Sequence, residues 1–323
     1  MKFGAVAIGR NEGDGLKRCI ESLSAKATAV VYVDSGSTDG SARWARSQGV
    51  DVIDLDMSVP FTAARARNAG LRRLREIAPD LACVQFVDGD CELNERWPKQ
   101  ALSFLDTHDD VGAVCGRRRE RYPERSIYNW LCDREWDGPT GEVLACGGDV
   151  MIRVDALQTV GGYRNDLIAG EEPELCVRLR AAGWRVWRLD AEMTLHDAAM
   201  TRIGQWWQRA LRSGYAFAQG SYLHGAPPER HWVWEVRRAW LWGVWLPMAC
   251  LAIGLVFAPW GWAAWLIYPL QMLRQTMRNS GPLQDRALLA LFQVLARFPE
   301  SLGQIKFMRD RLLDRQPRLI EYK

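Results

Sequence analysis

Cys83-Val84-Gln85-Phe86-Val87-Asp88-Gly89-Asp90-Cys91 is an apolar run that ends in two carboxylates separated by one glycine. A β-branched and aromatic run of this length reads as a buried strand, and in an α/β sheet such a strand delivers the residues after it to the ligand crevice. Two carboxylates so close repel each other unless a cation or a shared proton relieves them, and hard divalent ions such as Mg2+ or Mn2+ take oxygen ligands of this kind. The pair is therefore a candidate metal site with open positions for phosphate oxygens. An ordinary Asp-Gly-Asp turn is the competing reading.

Outward from this stretch, strand and helix patterns alternate. Phe3 to Ile8 is apolar, Leu16 to Leu23 has helical spacing, and Ala29 to Val33 is β-branched; Ala42 to Ser47 reads as a short helix before Val50 to Leu55. Such alternation predicts parallel strands with helical crossovers. The second strand ends in Asp34-Ser35-Gly36-Ser37-Thr38-Asp39-Gly40-Ser41, and a carboxylate followed by a glycine and hydroxyl loop suits nucleotide recognition, although turn chemistry alone would account for it. Thr62 to Ile77 reads as a helix carrying Arg65, Arg67, Arg72, Arg73 and Arg75, mostly a solvated face, of which one or two could reach a diphosphate.

Composition sets the limits. The 323 residues, 48% hydrophobic and 25% charged, can bury one large core or two modest ones. A net charge of +3 gives no ground for a nucleic-acid partner. Eight cysteines without a CxxC pair read as reduced cytosolic thiols. The run after Lys2 is stopped by Arg10 and reads as a first strand rather than a secretion signal.

Four motifs in order, Arg10-Asn11-Glu12, Asp34 to Gly40, Ala66-Arg67-Asn68-Ala69-Gly70 and Asp88-Gly89-Asp90, resemble the nucleotide-sugar half of family 2 glycosyltransferases with the GT-A fold. The resemblance implies that Glu12 and Asp34 face the ribose and base, that Arg67 lies near the nucleotide, that Asp90 ligates the metal bridging the diphosphate, and that Asp88 supports the ribose or the metal. It continues through Ala145-Cys146-Gly147-Gly148-Asp149, similar to a loop at the donor sugar and acceptor, to Gly170-Glu171-Glu172-Pro173-Glu174, similar to the family's Glu-Asp motif at a helix start. Here the chain departs from the pattern: Glu172 stands where the family has its aspartate base, and Glu171 beside it leaves the assignment open between the two. Acids in a first helical turn also complement the macrodipole without any catalytic task. His196, after a predicted strand Arg185 to Leu189, is a further metal or phosphate contact or a structural histidine. The basic run Arg117 to Arg125 is a site for an anionic acceptor or a solvated loop.

The resemblance covers residues 1–200, the expected catalytic domain, and leaves 201–323 as a helical region. Gln205-Trp206-Trp207-Gln208-Arg209 is only loosely similar to the Gln and Arg-Trp element of processive synthases, whose order is absent. Residues 239–273 carry no charge and include Trp240, Trp242, Trp245, Trp260, Trp262 and Trp265. That length is too great for one comfortable crossing and short for two, and Pro259-Trp260-Gly261 marks a turn near its middle. The expectation is a membrane-associated segment, as a re-entrant hairpin, two spans or interfacial helices. Arg237, Arg238, Arg274 and Arg278 place both ends on the cytoplasmic face of the inner membrane. A buried helical pair in a soluble dimer is the alternative.

Together these readings predict an inverting, Mg2+- or Mn2+-dependent transfer of one sugar from a nucleotide-sugar donor, UDP-hexose by the family's habit. The acceptor would be a hydroxyl of a lipid-linked saccharide in extracellular polysaccharide synthesis. A non-catalytic membrane scaffold and a sugar nucleotidyltransferase are the rival readings; the second would open with a glycine-rich basic loop, which Ile8 to Glu12 is not.

Overall fold

The computed structural model describes residues 1–315 and 320. The chain forms two compact units that divide between Thr201 and Arg202. The first opens with β1 (Phe3–Gly9), α1 (Asp14–Ser24), β2 (Val30–Asp34), α2 (Ser41–Ser47), β3 (Asp51–Asp54), α3 (Ala63–Ile77) and β4 (Cys83–Asp88). It continues with β5 (Cys91–Leu93), α4 (Trp97–Thr107), β6 (Val111–Glu120), α5 (Ile127–Glu135), β7 (Gly141–Glu142), β8 (Val150–Arg153), α6 (Val154–Val160), α7 (Glu171–Ala181) and β9 (Arg185–His196).

Among the described residues these strands form one mixed sheet in the order β3-β2-β1-β4-β8-β6-β9-β5, with β7 paired to β9. The strands β3, β2, β1 and β4 are parallel neighbours, joined by helical crossovers as the alternating pattern predicts. Their interior positions, including Ala5, Val6, Ala7, Val31, Val33, Val84 and Phe86, are buried, as strands covered on both faces require. Beyond β4 the pairing turns antiparallel through β8, which pairs Phe86 with Val150. That register brings residue 149 beside residue 88.

Gly70 explains why α3 lies so close to the sheet. A Cβ there would come within 2.3 Å of Val6 Cγ1, so only glycine permits this approach. Arg67, one turn earlier, is thereby held over the C-terminal ends of β1 and β4. Thr62 caps the same helix by accepting from the Arg65 amide at 3.1 Å, and its hydroxyl donates to the Asn165 carbonyl at 2.9 Å.

The second unit is helical among its described residues: α8 (Ile203–His224), α9 (Val233–Trp240), a wide π turn Leu241–Trp245, α10 (Leu246–Val256), a 3-10 turn Trp260–Leu266, α11 (Ile267–Arg278), α12 (Leu283–Leu295) and α13 (Arg297–Leu312). Helices α8 and α13 cross at glycines: a Cβ on Gly214 would lie 2.0 Å from the Glu300 carbonyl oxygen, and one on Gly303 2.0 Å from that of Leu211.

Candidate active site

The site residues gather where the parallel strands end. Gly9 of β1 is level with Asp34 of β2, and Ile8 with Asp88 of β4, so the loops after three adjacent strands open on one edge, the ligand position of such sheets. Two of these loops are stapled together. Asn11, in the left-handed region at φ 58°, donates its amide to Ser37 Oγ at 2.9 Å and accepts from the Thr38 amide at 2.7 Å. The Gly13 amide donates to Asp39 Oδ2 at 3.1 Å. Glu12 lies between the strand ends, its Cγ filling the space a side chain on Gly9 or Gly89 would need. Asp34 is buried and accepts from the Tyr32 hydroxyl at 3.0 Å and from the amides of Gly36 and Ser37 at 3.0 and 2.8 Å. Its carboxylate thus shapes the loop that carries it.

Arg67 is the hub of the floor. Only 2% exposed, its guanidinium reaches Asp88 Oδ1 at 3.0 Å, Glu171 Oε1 at 2.8 Å and Glu172 Oε1 at 2.7 Å, with the Tyr163 ring 5.6 Å from its carbon. The resemblance anticipates Arg67 near the nucleotide; here its charge is spent on three carboxylates. Burial works against the guanidinium's charge, but Glu172, Asp88 and Glu171 raise its pKa further still. For Asp88, burial opposes ionisation while Arg67 and Arg118 outweigh it and hold the carboxyl below its ordinary range. Glu172 goes the other way: burial, opposed by Arg67 but reinforced by Glu171 and Asp88, pushes it up to about 7. Both glutamates stand in the first turn of α7, entered through Gly170 at φ 79°, so macrodipole complementarity accounts for part of their placement.

Gly148 lies against this hub and Gly147 faces open space. A Cβ on Gly148 would be 2.8 Å from Arg67 Nη2 and 3.1 Å from Asp88 Oδ2, and the guanidinium, tied to three acids, has nowhere to retreat. Gly148→Ala is expected to cost about 1–3 kcal/mol of stability, read as a lowered Tm. An unchanged Tm would mean that the hub gives way freely.

Asp149, expected in the sugar and acceptor loop, is turned inward. It is buried, accepts from the Asp88 amide at 3.1 Å and the Thr194 hydroxyl at 2.6 Å, and has Arg118 Nε 3.3 Å away. It supports Asp88 from behind.

The sheet register also assembles the Asp90 side of the site. His196 is the last residue of β9, which runs on well past Leu189, and is level with Cys91 of β5 and Glu120 of β6. Its Nε2 is 3.3 Å from Asp90 Oδ2, its Nδ1 3.7 Å from Glu120 Oε2, and the Trp136 ring meets it edge-on at 4.8 Å. Asp90, Cys91 and His196 offer donor atoms within 4.8 Å of one another. Burial and the surrounding acids, against the pull of Arg118, push the Cys91 thiol well up, and it donates to Asp90 Oδ1 at 3.6 Å. The donor set is therefore a carboxylate and an imidazole beside a neutral thiol, which fits a hard divalent ion better than a thiolate-seeking one. A second cluster, Asp88, Cys91 and Asp149, has its carboxylates already engaged by Arg67, Arg118 and Thr194.

The basic run is neither a solvated loop nor an open anion patch. Through residue 120 it is the end of β6, and its arginines pair across the fold: Arg117 with Asp133 at 3.1 Å, Arg118 with Asp88 at 3.1 Å, Arg119 with Glu192 at 2.7 Å and Arg121 with Glu92 at 2.6 Å. Trp136, whose ring lies 4.9 Å from the Arg118 guanidinium carbon, is a part of the site that sequence reasoning missed, and Arg118, expected in an acceptor patch or a solvated loop, faces Asp88 instead. Register shifts in β6 between Cys115 and Arg118 break the two-residue period that would have marked Arg118 as inward-facing. Of the α3 arginines, Arg65 clamps the carbonyls of Asp56, Val59 and Pro60, and Arg73 pairs with Asp51 at 2.7 Å. All eight cysteines are buried thiols outside any disulfide, with Cys146 and Cys176 Sγ 3.4 Å apart behind the glycine loop.

Residues 7–156 match the model of glycosyl transferase family 2. The chain is 22% identical to glycosyltransferase AglE of Haloferax volcanii over 316 residues, covering 92% of this chain and 93% of that one. It is 25% identical over 211 residues to the succinoglycan biosynthesis protein ExoA of Rhizobium meliloti, covering 61% and 64%. Among solved structures, the mannosyltransferase PcManGT of Pyrobaculum calidifontis, in complex with GDP-Man and Mn2+, superposes with a TM-score of 0.57 at 20% identity, over 97% of this chain and 87% of that one. TarS 1-349 of S. aureus gives 0.52 at 15% identity, over 96% and 92%. At these identities the structural likenesses show a common fold.

Proposed function

Because this chain belongs to glycosyl transferase family 2 and is a glycosyltransferase of GT-A fold, we propose that it transfers one sugar with inversion from a nucleotide-sugar donor to an acceptor hydroxyl, with Glu172 as general base. The observation that carries this reading is the buried hub in which Arg67 joins Asp88, at the end of β4, to Glu171 and Glu172 at the start of α7. It couples the strand end that serves the donor to the helix start that serves the acceptor. Glu172 takes the proton of the acceptor hydroxyl; the hydroxyl oxygen bonds to the anomeric carbon as the bond from that carbon to the diphosphate breaks, and the nucleoside diphosphate leaves. A carboxylate raised to about 7 is matched to taking a proton near neutral pH. Glu171, the more deeply buried of the two, accepts from Arg67 on the inner side and holds the hub together, while Glu172 is the carboxylate nearer the surface.

Asp90 and His196 are the residues that would hold Mg2+ or Mn2+, with Asp88 and Asp149 as their support. When bound, the ion supplies positive charge for the departing diphosphate. Glu12 and the Asp34 loop line the place for the nucleoside, and Gly147 and Gly148 leave room for the donor sugar. UDP-hexoses are the first donors to test, and GDP-mannose the next, because that is the ligand of PcManGT.

A lipid-linked saccharide in polysaccharide synthesis is the proposed acceptor, and the cytoplasmic face of the cell membrane the proposed location. ExoA, by its name, serves succinoglycan biosynthesis, which supports the first. The helix Val233–Val256 supports the second: its apolar window has mean hydropathy 1.8, yet only 17% of that window is buried, whereas a core helix would be mostly buried.

Nucleoside diphosphate release across a set of nucleotide sugars, with and without Mn2+, tests the reaction. Asp90→Ala is expected to abolish metal-dependent turnover with a stability loss of no more than about 1–2 kcal/mol, because the lost contacts to His196 and Cys91 are offset by relief of the repulsion between Asp90 and Asp88. Full activity in that variant would remove Asp90 from the metal site.

A further inference from the structure

We infer that residues 246–266 form a hairpin that enters a single leaflet of the membrane and returns to the side it came from, without crossing. This rests on the proposed membrane location and goes further, since that location alone is equally served by two spans or by helices lying flat.

The length of the protruding part is the first constraint. The helix Val233–Val256 would be long enough to cross, but its first half is fixed to the helical unit. Ala239 is fully buried, and a Cβ on Gly243 would lie 2.3 Å from the Arg297 carbonyl oxygen. The Trp242 carbonyl accepts from the Tyr268 hydroxyl at 2.7 Å, and the Tyr268 ring stacks on Phe298. The free part begins near Leu246. The eleven residues of α10 rise about 16 Å, close to half of a hydrocarbon core about 30 Å thick.

The two arms pack on each other beyond that point. A Cβ on Gly254 would be 2.6 Å from the Trp262 ring, one on Gly261 2.1 Å from the Ile253 carbonyl oxygen, and the Cys250 thiol donates to the Ala264 carbonyl at 3.5 Å. The arms are helical turns, and at the tip the Phe257 amide donates to the Ile253 carbonyl at 2.9 Å and the Gly261 amide to the Phe257 carbonyl at 2.8 Å, the internal pairing that a segment in hydrocarbon requires.

The tip decides between crossing and returning. Leu255, Val256, Phe257 and Trp260 are 66%, 72%, 64% and 85% exposed, and Phe257-Ala258-Pro259-Trp260-Gly261-Trp262 holds no charged residue. A crossing hairpin would put this turn into water on the far side, where its apolar surface gains nothing. The return arm meets Gln271 and then Arg274, so it cannot supply a second span. Arg237, Arg274 and Arg278 are exposed at the root of the hairpin, matching the anionic headgroups of the leaflet it enters.

The test uses the full chain and vesicles of phosphatidylethanolamine and phosphatidylglycerol. The protein is expected to float with the vesicles, and Trp260→Asp to bind about 70- to 400-fold more weakly, the scale set by moving a carboxylate into hydrocarbon. With a fluorophore on Phe257→Cys, an exposed position whose change opens no core, emission is expected to be quenched by nitroxides on the lipid tails and untouched by iodide trapped in the vesicle lumen. Quenching by lumenal iodide would overturn the single-leaflet insertion while leaving membrane attachment intact. Failure of the wild-type chain to float, or a soluble dimer with the same fluorophore shielded from solvent iodide, would overturn both.

Discussion

Glu172→Gln is expected to lower turnover by about 10²- to 10⁴-fold with donor affinity nearly unchanged, the usual cost of losing a general base. The substitution keeps the side chain's shape and removes the carboxylate proposed to accept the proton. The pH profile provides the sharper check. Burial, with Glu171 and Asp88 adding to it against Arg67, pushes the Glu172 carboxyl up to about 7. A base acts as its anion, so the rate of the wild-type enzyme should fall about tenfold per pH unit below that value and level off above it. The glutamine variant should lose this acidic limb. The same shift has a sign in stability: between its ordinary 4.5 and about 7 the folded chain holds the Glu172 proton more tightly than the unfolded chain, so this group makes stability fall as pH rises through that window. Glu171→Gln should do much less to the rate, because Glu171, 3% exposed against 8% for Glu172, is the less accessible of the two carboxylates. A reversed pair of effects would move the base one residue back.

Arg67→Ala is expected to destabilise the first unit by about 3–5 kcal/mol, the scale of removing one partner from a buried ion network. Among the described residues Asp88 retains Arg118 at 3.1 Å, but Glu171 and Glu172 would face each other across the vacated space. For a unit of this size that is a Tm drop on the order of 10 °C. Arg67→Lys should recover only part of it, since one ammonium cannot span the carboxylates that Nη1 and Nη2 meet separately. Adding Glu171→Gln to Arg67→Ala should restore some stability by removing one unpaired charge. A wild-type Tm for Arg67→Ala would show that water reaches the hub and solvates it.

Local pattern alone was enough for the order and kind of the elements from β1 to β4, because the strand and helix periods are properties of short windows. Phe3 to Ile8, Thr62 to Ile77 and the run into Asp88-Gly89-Asp90 lie where their periodicity and caps put them. The same holds for the uncharged residues 239–273 and their central turn, since hydropathy is additive along the chain. Where a strand continued through residues of mixed polarity the pattern failed: β9 reaches His196 because its edges are paired with β6 and β5, which no window around Leu189 contains.

What each charged residue faces was decided by tertiary structure alone. Arg67 and Glu171 are 104 residues apart in sequence, and Asp88 and Asp149 are 61. An arginine on α3 is equally consistent with a solvated face, a diphosphate contact or a buried hub until Gly70 sets the depth of the helix on the sheet. The basic run ending at Arg125 contains no hint that Arg118 turns inward to Asp88 while Arg119 turns to Glu192 at the surface. Charge pairing depends on distance and burial, and the sheet register creates both; sequence supplies the list of candidates, and the fold chooses among them.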